Sequence, residues 1–309
     1  MMHRLDQPGC ALDGHSLEFV RASLSALRES GAKFISLRTL VDAWKNQSPI
    51  DPDWVVFTID DGFADQATLV REAFAPMECP VTIFLISGFL DGQLWPWDDQ
   101  LAFIFSEAPE QKRDIEVGGQ RFAVDLTRPQ NRSTDMNRVR EYCKATAGLD
   151  PYEAAADIAA QLGVPLTKEP PAQFRPMTWD TVRELEREGV AQFGPHSVSH
   201  RIFSTLSAEE SRQELQHSWT RLQEELADPL PILAWPTGRS RDFAAKDVAN
   251  AKAIGLHASV ATDPGYAYRQ PGGDSDQIYR LRRFAMPNDL TTVLRYGSWL
   301  ERGRELLPV

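Results

Sequence analysis

A parallel α/β fold is predicted from the alternation of strand, loop and helix signals along this 309-residue chain. Residues 81–87 (VTIFLIS) form a continuous apolar run, the pattern of a strand buried on both faces of a parallel sheet. Residues 54–59 (WVVFTI) are rich in β-branched and aromatic side chains and run straight into Asp60-Asp61-Gly62. Between segments of this kind lie stretches with apolar residues at helical spacing.

The elements follow in order. Residues 17–30 read as a helix, with Phe19, Val20, Leu24 and Leu27 on one face. The strand at 54–59 precedes a helix at 64–74 and the buried strand at 81–87. A helix at 178–188 is stopped by Gly189, and a short strand at 190–193 leads to Gly194-Pro195-His196. Ser207 followed by Glu210 makes a capping box for a helix at 207–225. A strand at 232–235 ends at Pro236, a helix occupies 246–254, and residues 257–261 and 279–284 read as strands. In such folds the chemistry collects at the carboxyl ends of the strands. Asp60-Asp61, His196 and Pro236-Thr237-Gly238 all follow predicted strands.

Residues from about 91 to 171 interrupt this rhythm. They contain the aromatic-acidic patch Trp95-Pro96-Trp97-Asp98-Asp99 and a helix, then a hairpin candidate (IEVGGQRFAVDL) that turns at Gly118-Gly119. Helices near 134–145 and 152–162 follow, and a proline-rich stretch at 165–176 returns to the main body. The expected organisation is one domain over residues 1–309, with this segment inserted as a cap over the substrate.

The composition sets limits. Hydrophobic residues make up 42% and charged residues 25%, which excludes a mainly disordered chain. Lys plus Arg is 33 and Asp plus Glu is 44, so the net charge is 33 − 44 = −11. Such an acidic chain is a poor partner for nucleic acid and for anionic membrane surfaces. Cys10, Cys79 and Cys143 are far apart and form no CxxC pair, which fits a reducing compartment. No apolar stretch resembling a secretory signal stands near the beginning, and no run is long enough to span a bilayer. A cytoplasmic protein without an integral membrane segment is expected.

Of six histidines, only His196 and His200 stand four apart. On a helical turn that spacing puts both imidazoles on one face, able to grip one metal ion; the bland alternative is a pair of surface histidines. Asp60-Asp61 by itself is compatible with a solvated loop, but here it closes a buried strand and precedes a glycine that permits a tight turn. Two adjacent carboxylates can divide the labour, one holding a metal and the other serving as a base. One carboxylate and two histidines make a facial site with open positions, the machinery for hydrolysing an amide or ester.

Phe57-Thr58-Ile59-Asp60-Asp61-Gly62 resembles the first motif of the polysaccharide deacetylases (carbohydrate esterase family four), usually Thr-Phe-Asp-Asp-Gly. His196-Ser197-Val198-Ser199-His200 resembles their second, His-Ser/Thr-x-x-His. Met177-Thr178-Trp179-Asp180 at a helix start and Gly194 ahead of the first histidine fit the same context. Ala234-Trp235-Pro236-Thr237-Gly238-Arg239 is similar to the third motif, and Thr262-Asp263-Pro264-Gly265 to a late loop of bacterial members. The resemblance implies a distorted, incomplete TIM-like (β/α)7 barrel. It implies a divalent metal, most commonly zinc, although a site of this ligand set also accepts cobalt, nickel or manganese. The implied reaction removes an N-acetyl or other small acyl group from an amino sugar of a bacterial surface polysaccharide or glycolipid precursor. The carbohydrate would be free, lipid-linked or nucleotide-linked. Asp60 would be the general base, and Asp61, His196 and His200 the metal ligands. The N–H of Thr237, standing where a tyrosine is usual, would bind the oxyanion.

The chain departs from the family pattern in two places. The arginine that often orients the base from the third motif is replaced by Ala234 and Trp235. A late Leu-x-His that supplies the general acid is missing, since no histidine follows His257, and the acid is left unassigned. His3, in Met2-His3-Arg4, resembles a Tyr-His-Arg at the end of the first strand of bacterial members and is a candidate site-lining residue. Asp65 is expected to support the first loop. Trp95 and Trp97 are candidates for stacking on a sugar or for a small core beneath the insertion. Arg280, Arg282 and Arg283 are candidates for binding a phosphate or for pairing with carboxylates. Two other functions stay open: hydrolysis of a non-sugar amide or formyl group, and carbohydrate binding by a catalytically impaired relative.

Overall fold

The computed structural model describes residues 1–6, 14–269 and 272–298; Cys10 lies outside them. The first half of the barrel comprises α1 (Leu17–Glu29), β1 (Lys33–Phe34), α2 (Leu37–Lys45), β2 (Trp54–Val55), β3 (Phe57–Asp61), α3 (Asp65–Leu69), β4 (Val81–Leu85) and α4 (Ser87–Leu90). The insertion carries α5 (Trp97–Glu107), β5 (Lys112–Val117), β6 (Gln120–Asp125), α6 (Pro129–Ala145) and α7 (Pro151–Leu162). The second half continues with α8 (Trp179–Glu188), β7 (Ala191–Pro195), α9 (Ala208–Glu225), β8 (Ile232–Ala234), α10 (Ala245–Ala253), β9 (Ala258–Val260) and α11 (Leu290–Gly297). The capping box at Ser207 and Glu210 is formed, and Gly163 and Gly189 close α7 and α8 in the left-handed conformation.

The chain folds as a distorted (β/α)7-type barrel. β3, β4 and β7 form its continuous parallel part, in register from Phe57, Val81 and Ala191 to Asp61, Leu85 and Pro195. β8 and β9 pair in parallel, and β9 touches Leu281 through a single bridge. Met2 pairs with Ile59 on the other edge of β3. Main-chain bonds from Met1 to Phe284 and from Met286 to Met1 complete the circuit. A cavity of about 650 Å³ lies beside this closure, lined by Leu40, Trp54, Phe57, Tyr266 and Phe284 among others.

β3 and β4 are buried at every position, as their apolar character requires. β7 passes close to β8 at Gly194, where a Cβ would stand 2.4 Å from the carbonyl oxygen of Ile232. Glycine at this position is what lets the strand that leads to His196 sit against β8.

Several boundaries differ from expectation. Val56 divides the strand predicted at 54–59 into β2 and β3, and β3 runs on through Asp60 and Asp61. The strand predicted at 279–284 is not formed. Residues Ser275–Arg280 make a 3-10 turn, and only Leu281 reaches the β9 ladder. The carbonyl of Tyr279 is taken by side chains, accepting from Trp235 Nε1 and from the Ser259 hydroxyl, so it has no place in a ladder. The insertion contains the predicted hairpin, turning at Gly118-Gly119, and gathers its own apolar cluster around Trp97, Leu101, Ile115, Val139 and Ile158.

Candidate metal centre and active site

Asp60 and Asp61 end β3, and His196 follows β7 directly, so register alone brings the first motif beside the second. The Oδ1 atom of Asp61 lies 3.5 Å from His196 Nε2 and 3.7 Å from His200 Nε2. Among the described residues these three make the one group of ligating side chains whose donor atoms all lie within 4.8 Å of one another, and all three are buried. Asp61 Oδ1 is buried with no hydrogen-bond partner. An orphaned carboxylate oxygen facing two imidazole nitrogens is a poor arrangement for an empty core and fits a divalent cation.

The tautomer of His196 follows from its surroundings. Its Nδ1 lies 2.7 Å from the Ala234 carbonyl, which only accepts, so Nδ1 carries the proton and Nε2 presents its lone pair to the centre. Burial acts to lower the pKa of His200, but the carboxylates of Asp98, Asp61 and Asp99 outweigh it and raise the value to about 9 in the metal-free site. Below that pH a proton competes with a metal. Zinc added to metal-free protein at about pH 7.5 is therefore expected to release about one proton, with the release fading as pH rises through about 9. A pH-indicator titration in weak buffer measures this; no release at about pH 7.5 contradicts it.

The adjacent carboxylate is held differently. Arg283 donates to Asp60 Oδ1 from Nη1 at 2.8 Å and to Oδ2 from Nη2 at 2.9 Å, a bidentate pair buried at both ends. Burial works to raise the Asp60 pKa; the Arg283 guanidinium, by its charge and its hydrogen bonds, overcomes it and lowers the value. Arg283 thus stands where the third motif lacks its arginine, reaching Asp60 from a different part of the barrel. This replaces the phosphate-binding reading of Arg283, whose guanidinium is committed to Asp60, Thr58 and Ala261. Arg282 donates to the Pro264 carbonyl, and Arg280 lies over the Phe243 ring.

Six described non-glycine residues have left-handed φ, and four are here: Asp61 (+85°), Ser197 (+66°), His200 (+54°) and Thr237 (+53°). Such conformations cost about 1–3 kcal/mol each and persist only where the surroundings enforce them. Glu214 enforces part of this, accepting the amides of Val198 and Ser199 at 2.9 Å each and the Ser199 hydroxyl at 2.5 Å. At Thr237, which follows β8, the hydroxyl donates to Asp242 at 2.6 Å and the carbonyl accepts from Thr262. The Thr237 amide makes no hydrogen bond among the described residues.

His3 lies at the rim. Its Nδ1 is 3.2 Å from Asp61 Oδ2, and its side chain is 46% exposed. The crowded site opposes charge on this ring, but the hydrogen bond and charge of Asp61 prevail and raise its pKa. Asp65 accepts the Leu5 amide at 2.7 Å and so fastens the segment that carries His3. His257 precedes β9, at the amino end of that strand and therefore at the opposite end of the barrel from the site. Trp95 and Trp97 take the core role of the two offered for them, Trp95 in the main core and Trp97 in that of the insertion. Both are buried, with Trp95 Nε1 donating to Thr167 O and Trp97 Nε1 to His200 O. Three contributions escaped the motif reading: Arg283 on Asp60, Asp98 beside His200 at 3.5 Å, and Glu214 under the histidine loop. Arg283 offered one signal, an arginine cluster on a predicted barrel strand of an acidic chain.

Residues 129–258 match the polysaccharide deacetylase family model. No curated protein matches the chain significantly. Among solved structures, the chain is similar to the Streptococcus pyogenes deacetylase PplD at TM-score 0.60 and 14% identity, covering 96% of this chain and 95% of that one. A de-N-acetylase from Aggregatibacter actinomycetemcomitans matches at TM-score 0.58 and 14% identity, covering 96% and 97%. IcaB from Ammonifex degensii matches at 0.59 and 13%, covering 96% and 94%. This chain thus has the polysaccharide deacetylase fold over nearly all its described length and the family's sequence signature over residues 129–258.

Proposed function

We propose that the protein is a metal-dependent hydrolase of carbon–nitrogen bonds other than peptide bonds, removing an N-acetyl or other small acyl group from an amino sugar of a surface polysaccharide or glycolipid precursor. One observation carries the reading: an unpartnered Asp61 oxygen faces two imidazole Nε2 atoms, with a second carboxylate, Asp60, locked beside it by Arg283.

Asp61, His196 and His200 would hold a divalent ion, zinc on this ligand set, which would supply Lewis acidity toward water and the acyl carbonyl. Asp60 accepts the proton of the attacking water. Its lowered pKa keeps it ionised at neutral pH, and Arg283 fixes its orientation. The Thr237 amide, unpartnered and held at a left-handed φ by Asp242 and Thr262, donates to the oxyanion. His3, half-exposed at the rim, hands a proton to the departing nitrogen and fills the role of the missing late histidine. Arg283 also removes one motive for the impaired-binder reading, which rested in part on the absent third-motif arginine. No described helix is long and apolar enough to cross a membrane. The free buried thiols of Cys79 and Cys143 support a reducing, cytoplasmic setting and hence a precursor as substrate.

The test begins with elemental mass spectrometry of the wild type beside His196→Ala/His200→Ala. Near-stoichiometric metal in the first and none in the second is expected. Acetate release from N-acetylated amino sugars is then compared with formate and ammonia release from other amides. Formate or ammonia without acetate moves the protein to the non-sugar reading. Oligosaccharide binding without turnover in metal-loaded protein makes it a binding relative.

A further inference from the structure

We propose that the insertion is part of the metal site as well as a cover over the barrel, and that Asp98, at the start of α5, is the positioning residue that fixes the ring of His200. The inference rests on the reading of Asp61, His196 and His200 as a cation site.

The Oδ1 atom of Asp98 and the Nδ1 atom of His200 lie 3.5 Å apart. Both atoms are sealed from solvent, and neither has a hydrogen-bond partner. A histidine that gives Nε2 to a cation is neutral and carries its proton on Nδ1. A carboxylate oxygen can only accept. Two buried, unpartnered atoms of complementary kind, facing each other, account for one another once the ring is oriented by a cation.

The neighbouring residues keep this carboxylate in place. Trp97 donates from Nε1 to the carbonyl of His200 at 3.1 Å, so consecutive residues of α5 grip the same histidine by its backbone and by its ring. That grip is applied where His200 adopts a left-handed φ of +54°. Asp99 accepts from Arg4 at 2.7 Å, and the Arg4 guanidinium lies 3.9 Å from the centroid of Phe63, which pins the first turn of α5 to the barrel.

His196 is supported by other means. Its Nδ1 is taken by the Ala234 carbonyl of β8, a barrel strand. The two imidazoles are therefore aimed by different parts of the fold, one by the barrel and one by the insertion. A carboxylate acceptor makes the ring it supports a stronger donor than a carbonyl does. On this arrangement the insertion sets how tightly the centre holds its metal.

The experiment measures the zinc dissociation constant of the full chain by chelator competition, in wild type and in Asp98→Asn. The exchange preserves shape and removes the charge. Weakening of about ten- to hundredfold is expected. In cobalt-loaded protein the visible absorption bands are expected to shift, because the ligand ring moves. A folded Asp98→Asn with unchanged dissociation constant and unchanged cobalt spectrum overturns the proposal alone. A wild type that binds no metal overturns it together with the cation-site reading. Should Asp98→Asn not fold, zinc-loaded wild type labelled with nitrogen-15 at histidine decides. A slowly exchanging, downfield Nδ1 proton on His200 supports the contact, and rapid exchange with water overturns it.

Discussion

Arg283→Met is expected to cost about 3–5 kcal/mol of stability near neutral pH, because it strands a buried carboxylate without its partner. Asp60 and Arg283 are both nearly inaccessible, and methionine fills the space of the arginine stem while supplying no charge. The pH dependence identifies the cause. In the wild type the folded pKa of Asp60 lies below its unfolded value. Its contribution to stability is present above the unfolded pKa of about 3.9 and is lost as pH falls through the lower folded value. In the variant, burial loses its main opponent and the folded pKa of Asp60 rises. Charge at Asp60 then opposes folding at neutral pH, and protonation relieves it. The difference in melting temperature between the two proteins should shrink from about pH 7.5 to about pH 4.5. An equal difference at both pH values means that lost packing, not stranded charge, is responsible. Turnover should fall by roughly a hundredfold as the base loses its fixed orientation.

Asp60→Asn is expected to keep the metal and lose turnover by about two to four orders of magnitude, the usual contribution of a general base. Asparagine preserves the shape of the side chain and can still accept from Arg283, while Asp61, His196 and His200 are untouched. Asp61→Ala, in contrast, should lose metal and turnover together. Metal content and acetate release, measured on the same preparations, separate the two. An Asp60→Asn protein that stays fully active removes Asp60 from the role of base. If Arg283 acts on the reaction only through Asp60, the double variant Asp60→Asn/Arg283→Met should turn over about as slowly as Asp60→Asn alone.

The sequence was most informative where a chemical signal and a periodic signal coincided. The strand leading to Asp60-Asp61 announced itself by its β-rich run and the short strand leading to His196 by the glycine that follows it, and both lie in the central parallel sheet. The Ser207 capping box and the Gly118-Gly119 hairpin are local chemistry, and local chemistry is readable from neighbours in the chain. The strand predicted at 279–284 misled because Tyr279 and Ile278 are apolar for reasons of packing. The Tyr279 carbonyl is engaged by the Trp235 and Ser259 side chains, which no local window contains. The tryptophans at 95 and 97 show the same limit: their aromatic surface is used in the interior, and their indole nitrogens serve distant carbonyls. Arg283 and Asp98 were out of reach as site residues, since each acts on a partner about a hundred or more positions away. Spacing within a motif carries no information about such pairs.

The pair that fixes Asp60 joins residues 223 positions apart. His3 arrives from near one end of the described chain, and the closure beside it uses Phe284 and Met286 from near the other. Contacts of such long sequence separation carry the largest loop-closure cost and form late in folding. The β3–β4 pairing, with its short connection, can form while the chain is still being made, but Asp60 has no arginine until residue 283 is in place. Competence for chemistry therefore comes after collapse. A partly synthesised or partly folded chain already holds the motif residues, yet its Asp60 is neither oriented nor held at a lowered pKa.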